Sequence, residues 1–95
     1  MSPAKPPSKK SKAWQRTFQR DLKLIGKRVR VARKDKVISQ VTLAEQMGVS
    51  LNTISEIEQG RRTFNVEHLL LLAAHLGVSP QTLLSGTPDP AEDRN

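Results

Sequence analysis

The sequence predicts an all-α domain of five short helices around one compact core. Three observations carry that prediction. Apolar residues recur at three- and four-residue spacing through most of the chain, and no segment alternates convincingly as a half-buried strand would. Serine or asparagine precedes each expected helix after the first, and glycine closes three of them. A length of 95 residues suits one domain whose core is modest.

Residues 1–13 are expected to form a disordered basic arm, because "SPAKPPSKKSK" (2–12) is rich in proline, serine and lysine and has almost nothing to bury. Phe18, Leu22, Ile25, Val29 and Ala32 then make one apolar stripe on a first helix from about Thr17 to Lys34, with Lys23, Lys27, Arg30 and Lys34 mostly off it. A second helix follows Ser39 and runs through Leu43, Ala44 and Met47 to Gly48. Ser50 caps a third, with Ile54 and Ile57 inward and Gly60 at its end. Asn65 caps a fourth, "VEHLLLLAAHL", closed by Gly77. Ser79 and Pro80 open a short fifth helix through Leu83, proline being favoured at the first helical position. The folded domain is thus expected over residues 14–85, with 86–95 ("GTPDPAEDRN") a disordered acidic tail.

The stretch "QVTLAEQMGVSLNTISEIEQGRR" (40–62) reads as two helices too short to be stable alone. Gly48 stands where the chain turns sharply between them, in a left-handed conformation that glycine adopts cheaply. Leu43, Ala44, Met47, Val49, Ile54 and Ile57 form the shared apolar seam, and Ala44 is small where the two helices cross. Leu51, Asn52, Ser55, Glu56 and Gln59 stay off that seam. A helix with such an outward, mostly polar leading half suits insertion into a DNA major groove, where base edges offer donors and acceptors.

Charge points the same way. Residues 1–36 carry thirteen Lys or Arg against Asp21 and Asp35, a net of +11, while residues 37–95 carry three against seven acids, a net of −4. That asymmetry suggests a polyanionic partner, nucleic acid first; a solvated arm that only aids solubility is the plainer alternative. The chain has no cysteine, no apolar run of membrane-spanning length and no apolar segment after its basic start, so a cytoplasmic, nucleoid-associated protein is expected. It also lacks tyrosine, a phosphate-cradling glycine loop, and paired carboxylates or a Ser/His/Asp set at recognisable spacing, which argues against an enzyme. His68 and His75 lie seven apart without carboxylate ligands at suitable spacing, so neither a metal nor a cofactor is expected.

With these residues in view, "SQVTLAEQMGVSLNTISEIEQGRR" closely resembles the helix-turn-helix of the phage repressor/Cro family of transcriptional regulators. "LIGKRVRVARKDK" before it and "VEHLLLLAAHLGVSPQTLL" after it match that family's first, fourth and fifth helices, so the resemblance covers residues 22–84. It implies that Gln40 touches a phosphate and that Ser50 offers its hydroxyl or amide to another. It implies base-edge contacts from Leu51, Asn52, Ser55 and Glu56, on a recognition helix of about residues 51–59. Gln59, Arg61 and Arg62 would grip the backbone where the chain leaves the groove. Arg33 and Glu58 match an arginine and a glutamate that pair between the first helix and the end of the third, as structure rather than site.

Simpler roles stand beside these. Ser50 serves as a helix cap in either case. Leu51 is a surface leucine or a contact to a thymine methyl. Glu56 repels phosphate unless it accepts from a cytosine amino group, and pairing with Arg61 or Arg62 is the other option. Trp14 is expected to cap the core. Two positions depart from the family pattern: Val37 replaces a common glycine, so the turn there is expected to differ, and Leu71 replaces a polar residue. With Leu70, Val78 and Leu84, Leu71 is expected to form a subunit contact.

The expectation is a bacterial or phage regulator that binds a palindromic operator as a homodimer and, lacking a sensing domain, responds to its own concentration or to a partner. An antitoxin or accessory subunit whose main partner is another protein is the alternative. An RNA adaptor is disfavoured, since only Trp14, Phe18 and Phe64 could stack on bases.

Overall fold

Side-chain caps open all five helices of the computed structural model, which describes residues 6–85: α1 (Lys12–Asp35), α2 (Gln40–Met47), α3 (Leu51–Glu58), α4 (Val66–Leu76) and α5 (Pro80–Leu84). Ser11, Ser39, Ser50, Asn65 and Ser79 each accept from the backbone N–H three residues on, which satisfies a donor the helix itself cannot. At Ser39, Ser50 and Ser79 the cap hydroxyl also bonds a threonine hydroxyl three residues later, at 2.8–3.0 Å. The tail expected over 86–95 and the first five residues of the arm lie outside the described residues.

The first helix is longer than the sequence reading expects. It begins at Lys12 rather than Thr17, so residues 12 and 13 are helical and not part of an irregular arm. Ser11 supplies a cap, and Lys12, Ala13, Gln15 and Arg16 are good helix formers. Trp14 extends the apolar stripe back one turn and stacks on Phe18, with ring centroids 5.5 Å apart. It therefore continues the stripe outward along α1 instead of capping the core.

The core joins Val29 of α1 to Leu43, Ala44 and Met47 of α2, Ile54 and Ile57 of α3, Leu69, Leu72, Ala73 and Leu76 of α4, and Leu83 of α5. α1 packs on α3, α4 and α5, and α2 packs on α3 and α4. Leu71, expected at a subunit contact, is half-buried and packs against this core, as do Val78 and Phe64. An eleven-residue helix flanked by α1, α2 and α5 has more than one covered side.

One position sets how closely α1 approaches α3. A Cβ on Gly26 would collide with the carbonyl oxygen of Ile57 and lie 2.6 Å from that of Glu58. Only a glycine lets the helices meet here. Val37 is the opposite case, a bulky residue where the sequence reading expects a differently shaped turn. The turn is left-handed all the same, with φ +59 at Val37. Val37 N–H donates to the Lys34 carbonyl at 2.9 Å and Ile38 N–H to that of Arg33 at 3.3 Å. Arg33 Nη1 also donates to the Ile38 carbonyl at 2.9 Å. These bonds impose the glycine-like conformation on a β-branched residue.

Candidate nucleic-acid interface

α2 and α3 meet through a turn built as the sequence reading expects. Gly48 is left-handed, φ +71 and ψ +32, and its N–H donates to Glu45 at 3.2 Å. Val49 N–H returns to the Ala44 carbonyl at 3.0 Å and its side chain packs against the core. Ser50 then caps α3, accepting from Thr53 N–H at 3.1 Å. Thr53, Ile54, Ile57 and Glu58 are buried, which leaves one face of α3 outward.

That outward face carries the expected residues. Leu51 is 45% exposed, Asn52 and Gln59 are exposed, and Ser55 and Glu56 are half-buried. The side chains are already tied to one another. Gln59 Nε2 donates to Ser55 Oγ at 3.0 Å, and Arg61 Nη1 to Gln59 Oε1 at 3.0 Å. Arg62 donates from Nε and Nη2 to Glu56 Oε1 at 2.9 and 2.7 Å. Glu56 thus takes the arginine-paired option in the free chain. Of the two arginines leaving the helix, Arg61 keeps its charge unopposed by any carboxylate within this network, and Arg62 is balanced.

Beneath the face lies a buried ionic anchor. Arg33 Nε donates to Glu58 Oε2 at 2.6 Å and Arg33 Nη2 to Glu58 Oε1 at 3.0 Å, with the glutamate side chain only 2% exposed. The fork geometry matches two donors to two oxygens and fixes the angle between α1 and α3. Bonding to Glu58 raises the Arg33 pKa above the ordinary arginine value; burial opposes this, and the carboxylate's charge adds to the rise.

Gln40 also takes part in this anchor. Its Nε2 donates to Glu58 Oε1 at 3.0 Å, making it a third partner of the anchor. The amide nitrogen carries a second N–H, which stays available to a phosphate while the first holds Glu58. Sequence reasoning missed this bond and the Gly26 crossing; the one signal for the latter was a lone glycine interrupting a long amphipathic helix.

The residues expected at a subunit contact differ in exposure. Leu70 and Leu84 are 51% and 47% exposed, whereas Leu71 and Val78 are half-buried against the core. Val66, 68% exposed, joins Leu84 along an apolar groove that Phe18, Leu22, Ile25 and Phe64 also line. Among the described residues no cluster of His, Asp or Glu is placed to hold a metal, and no helix is long and apolar enough to cross a membrane.

α3 is thus a capped helix seated on a buried ion pair. The helix-turn-helix family model matches residues 29–83, more than half of the chain. The chain belongs to the phage repressor/Cro-type helix-turn-helix family. Repressor protein C2 of Salmonella phage P22 is 41% identical over 63 residues, which span 66% of this chain and 29% of that protein's length. Among solved structures, the P22 c2 repressor in complex with a synthetic operator superposes with a TM-score of 0.64 at 41% identity, covering 67% of this chain and 97% of that one. The restriction-modification controller protein C.AhdI from Aeromonas hydrophila gives 0.65 at 34% identity, over 67% and 97%. A hypothetical transcription factor, NHTF, from Neisseria gives 0.67 at 26% identity, over 99% of this chain and 94% of that one. This likeness agrees with the all-α, five-helix architecture read from the sequence and seen among the described residues.

Proposed function

We propose that this chain is a sequence-specific double-stranded DNA-binding transcriptional regulator that acts without catalysis and reads a palindromic operator as a homodimer. The observation that carries the reading is the outward face of α3. Leu51, Asn52, Ser55 and Glu56 project from a helix whose seat is a buried ion pair, and two arginines follow at its exit. α3 enters the major groove, with Asn52 the best suited of the four to a bidentate base contact. Ser50 at the N-terminus of α3 and Gln59 and Arg61 at its end bind phosphates on either side of the groove. Glu56 releases Arg62 to a phosphate when it accepts from a cytosine amino group. The operator solved with the P22 c2 repressor, a relative 41% identical to this chain, supports a DNA partner.

Selection of binding sites from random duplex DNA tests this reading directly. A palindrome with half-sites about one helical turn apart is the expected result. Asn52→Ala should weaken the selected site by roughly 1–3 kcal/mol while leaving random duplex unchanged. Failure to enrich any sequence, or equal loss on selected and random DNA, would overturn the assignment of α3.

A further inference from the structure

We infer that the outer face of α1 is a second DNA-binding surface, which follows the phosphate backbone of the duplex beyond the half-site. The inference rests on the operator-binding reading above. Lys12, Arg16, Arg20, Lys23, Lys27, Arg30 and Lys34 succeed one another at spacings of three or four residues along this single helix. At 3.6 residues per turn those seven cations fall within an arc of about 80°, in a line about 33 Å long. All but Lys27 are exposed. Arg20 stands 3.8 Å from Asp21, a loose pair with both side chains more than half exposed, so the acid offsets little of the stripe's charge.

The opposite face of the same helix identifies the kind of partner. Leu22 and Val29 are buried in the body, and Ile25 and Ala32 pack against its core. The apolar side of α1 thus faces the body and the groove beside it, and the charged side is the one it presents to a charged partner. That side suits an extended polyanion and not a lipid surface, which takes up an apolar helix face as well. Gln15 and Gln19, which line a shallow depression together with Lys12, Arg16, Arg20 and Lys23, add neutral donors for phosphate oxygens.

The stripe also meets the DNA-reading face. A Cβ on Gly60 would lie 2.6 Å from Lys23 Cα, so the backbone of α1 abuts the exit from α3 immediately before Arg61 and Arg62. Phosphates gripped by that exit continue onto Lys23, and from there along Arg20, Arg16 and Lys12. Those residues precede the part of the chain matched by the family model, which begins at residue 29 inside α1. Lys12, Arg16 and Arg20 also precede the stretch 22–84 that resembles the family, and they extend the helix beyond the minimal reading head.

Salt titrations of the full chain on two duplexes test the assignment, one holding only the selected site of about 20 base pairs and one extended by a helical turn on each side. The variant Arg16→Gln/Arg20→Gln/Lys23→Gln should lower the log–log salt slope by about 2.7 per bound chain on the long duplex, about 0.9 for each phosphate no longer neutralised, and leave the short duplex unchanged. Arg16→Lys/Arg20→Lys/Lys23→Arg, which keeps the charges, should bind as the parent does. Circular dichroism of both variants should match the parent, glutamine being a good helix former. An unchanged slope on the long duplex overturns the inference, and so does an equal fall on both lengths, which would place the stripe within the site. Should no sequence be selectable, the operator reading fails by itself, and the same comparison on arbitrary duplexes of the two lengths still decides the role of α1.

Discussion

Glu58 accepts from Arg33 twice and from Gln40 once, so a single carboxylate joins three helices beneath the reading face. Such a pair adds little to stability over apolar residues of the same shape, but removing one partner strands the other charge. Glu58→Ala is therefore expected to cost about 3–5 kcal/mol, a fall in melting temperature of well over 10 °C for a domain of this size. A thermal denaturation curve within about 2 °C of the parent would show that the pair holds nothing. The contribution of Arg33 does not fade in the neutral range. A base whose folded pKa is raised keeps its stabilising effect at every pH below its unfolded value and loses it only on passing the raised one, here above the ordinary arginine range. Arg33 and Glu58 lie 25 residues apart, with no local pattern linking them. Their pairing was legible only through family resemblance, and Gln40's share in it through nothing in the sequence, since a glutamine at a helix start has many partners within reach.

At the scale of elements, the caps were the most legible feature, because each is a local device: Ser39, Ser50, Asn65 and Ser79 open α2 to α5 where sequence reading places them. The start of α1 was not legible, since the lysine and proline content before it argued for an irregular arm while Ser11 and the residues after it favour a helix. Val37 shows the converse, tertiary and capping bonds overriding a local preference. Its left-handed conformation costs a β-branched residue about 1–2 kcal/mol, and at 87% exposure its side chain recovers almost none of that by packing. Val37→Gly should relieve the strain, less the larger entropy glycine loses on folding. The expected outcome is a gain of about 0.5–1 kcal/mol, or several degrees in melting temperature. A variant that melts below the parent would mean that the Val37 side chain makes a stabilising contact after all.

At the scale of the whole molecule, the proposed function calls for a second copy. One recognition helix inspects only a few base pairs, which cannot single out a site in a genome. Two copies about a twofold axis would double the information, and with α3 on DNA as proposed their contact would fall to α4, α5 and the nearby face of α1. Burial narrows the choice among their apolar residues. Leu71 and Val78 are half-buried against the core, so changing them would unsettle the fold as well as any interface. Leu70 and Leu84 stand about half exposed, and Leu84 and Val66 edge the groove that Phe18, Ile25 and Phe64 line. A second copy seated on that groove would withdraw this apolar surface from water without touching α3. Leu70→Glu together with Leu84→Glu should accordingly give a folded chain with parental helix content that sediments as a monomer and binds operator DNA without cooperativity. Sedimentation at micromolar concentration, with and without operator, decides the matter: a parent chain that stays monomeric in both conditions rules out the homodimer, and a double variant that still dimerises moves the contact to another face.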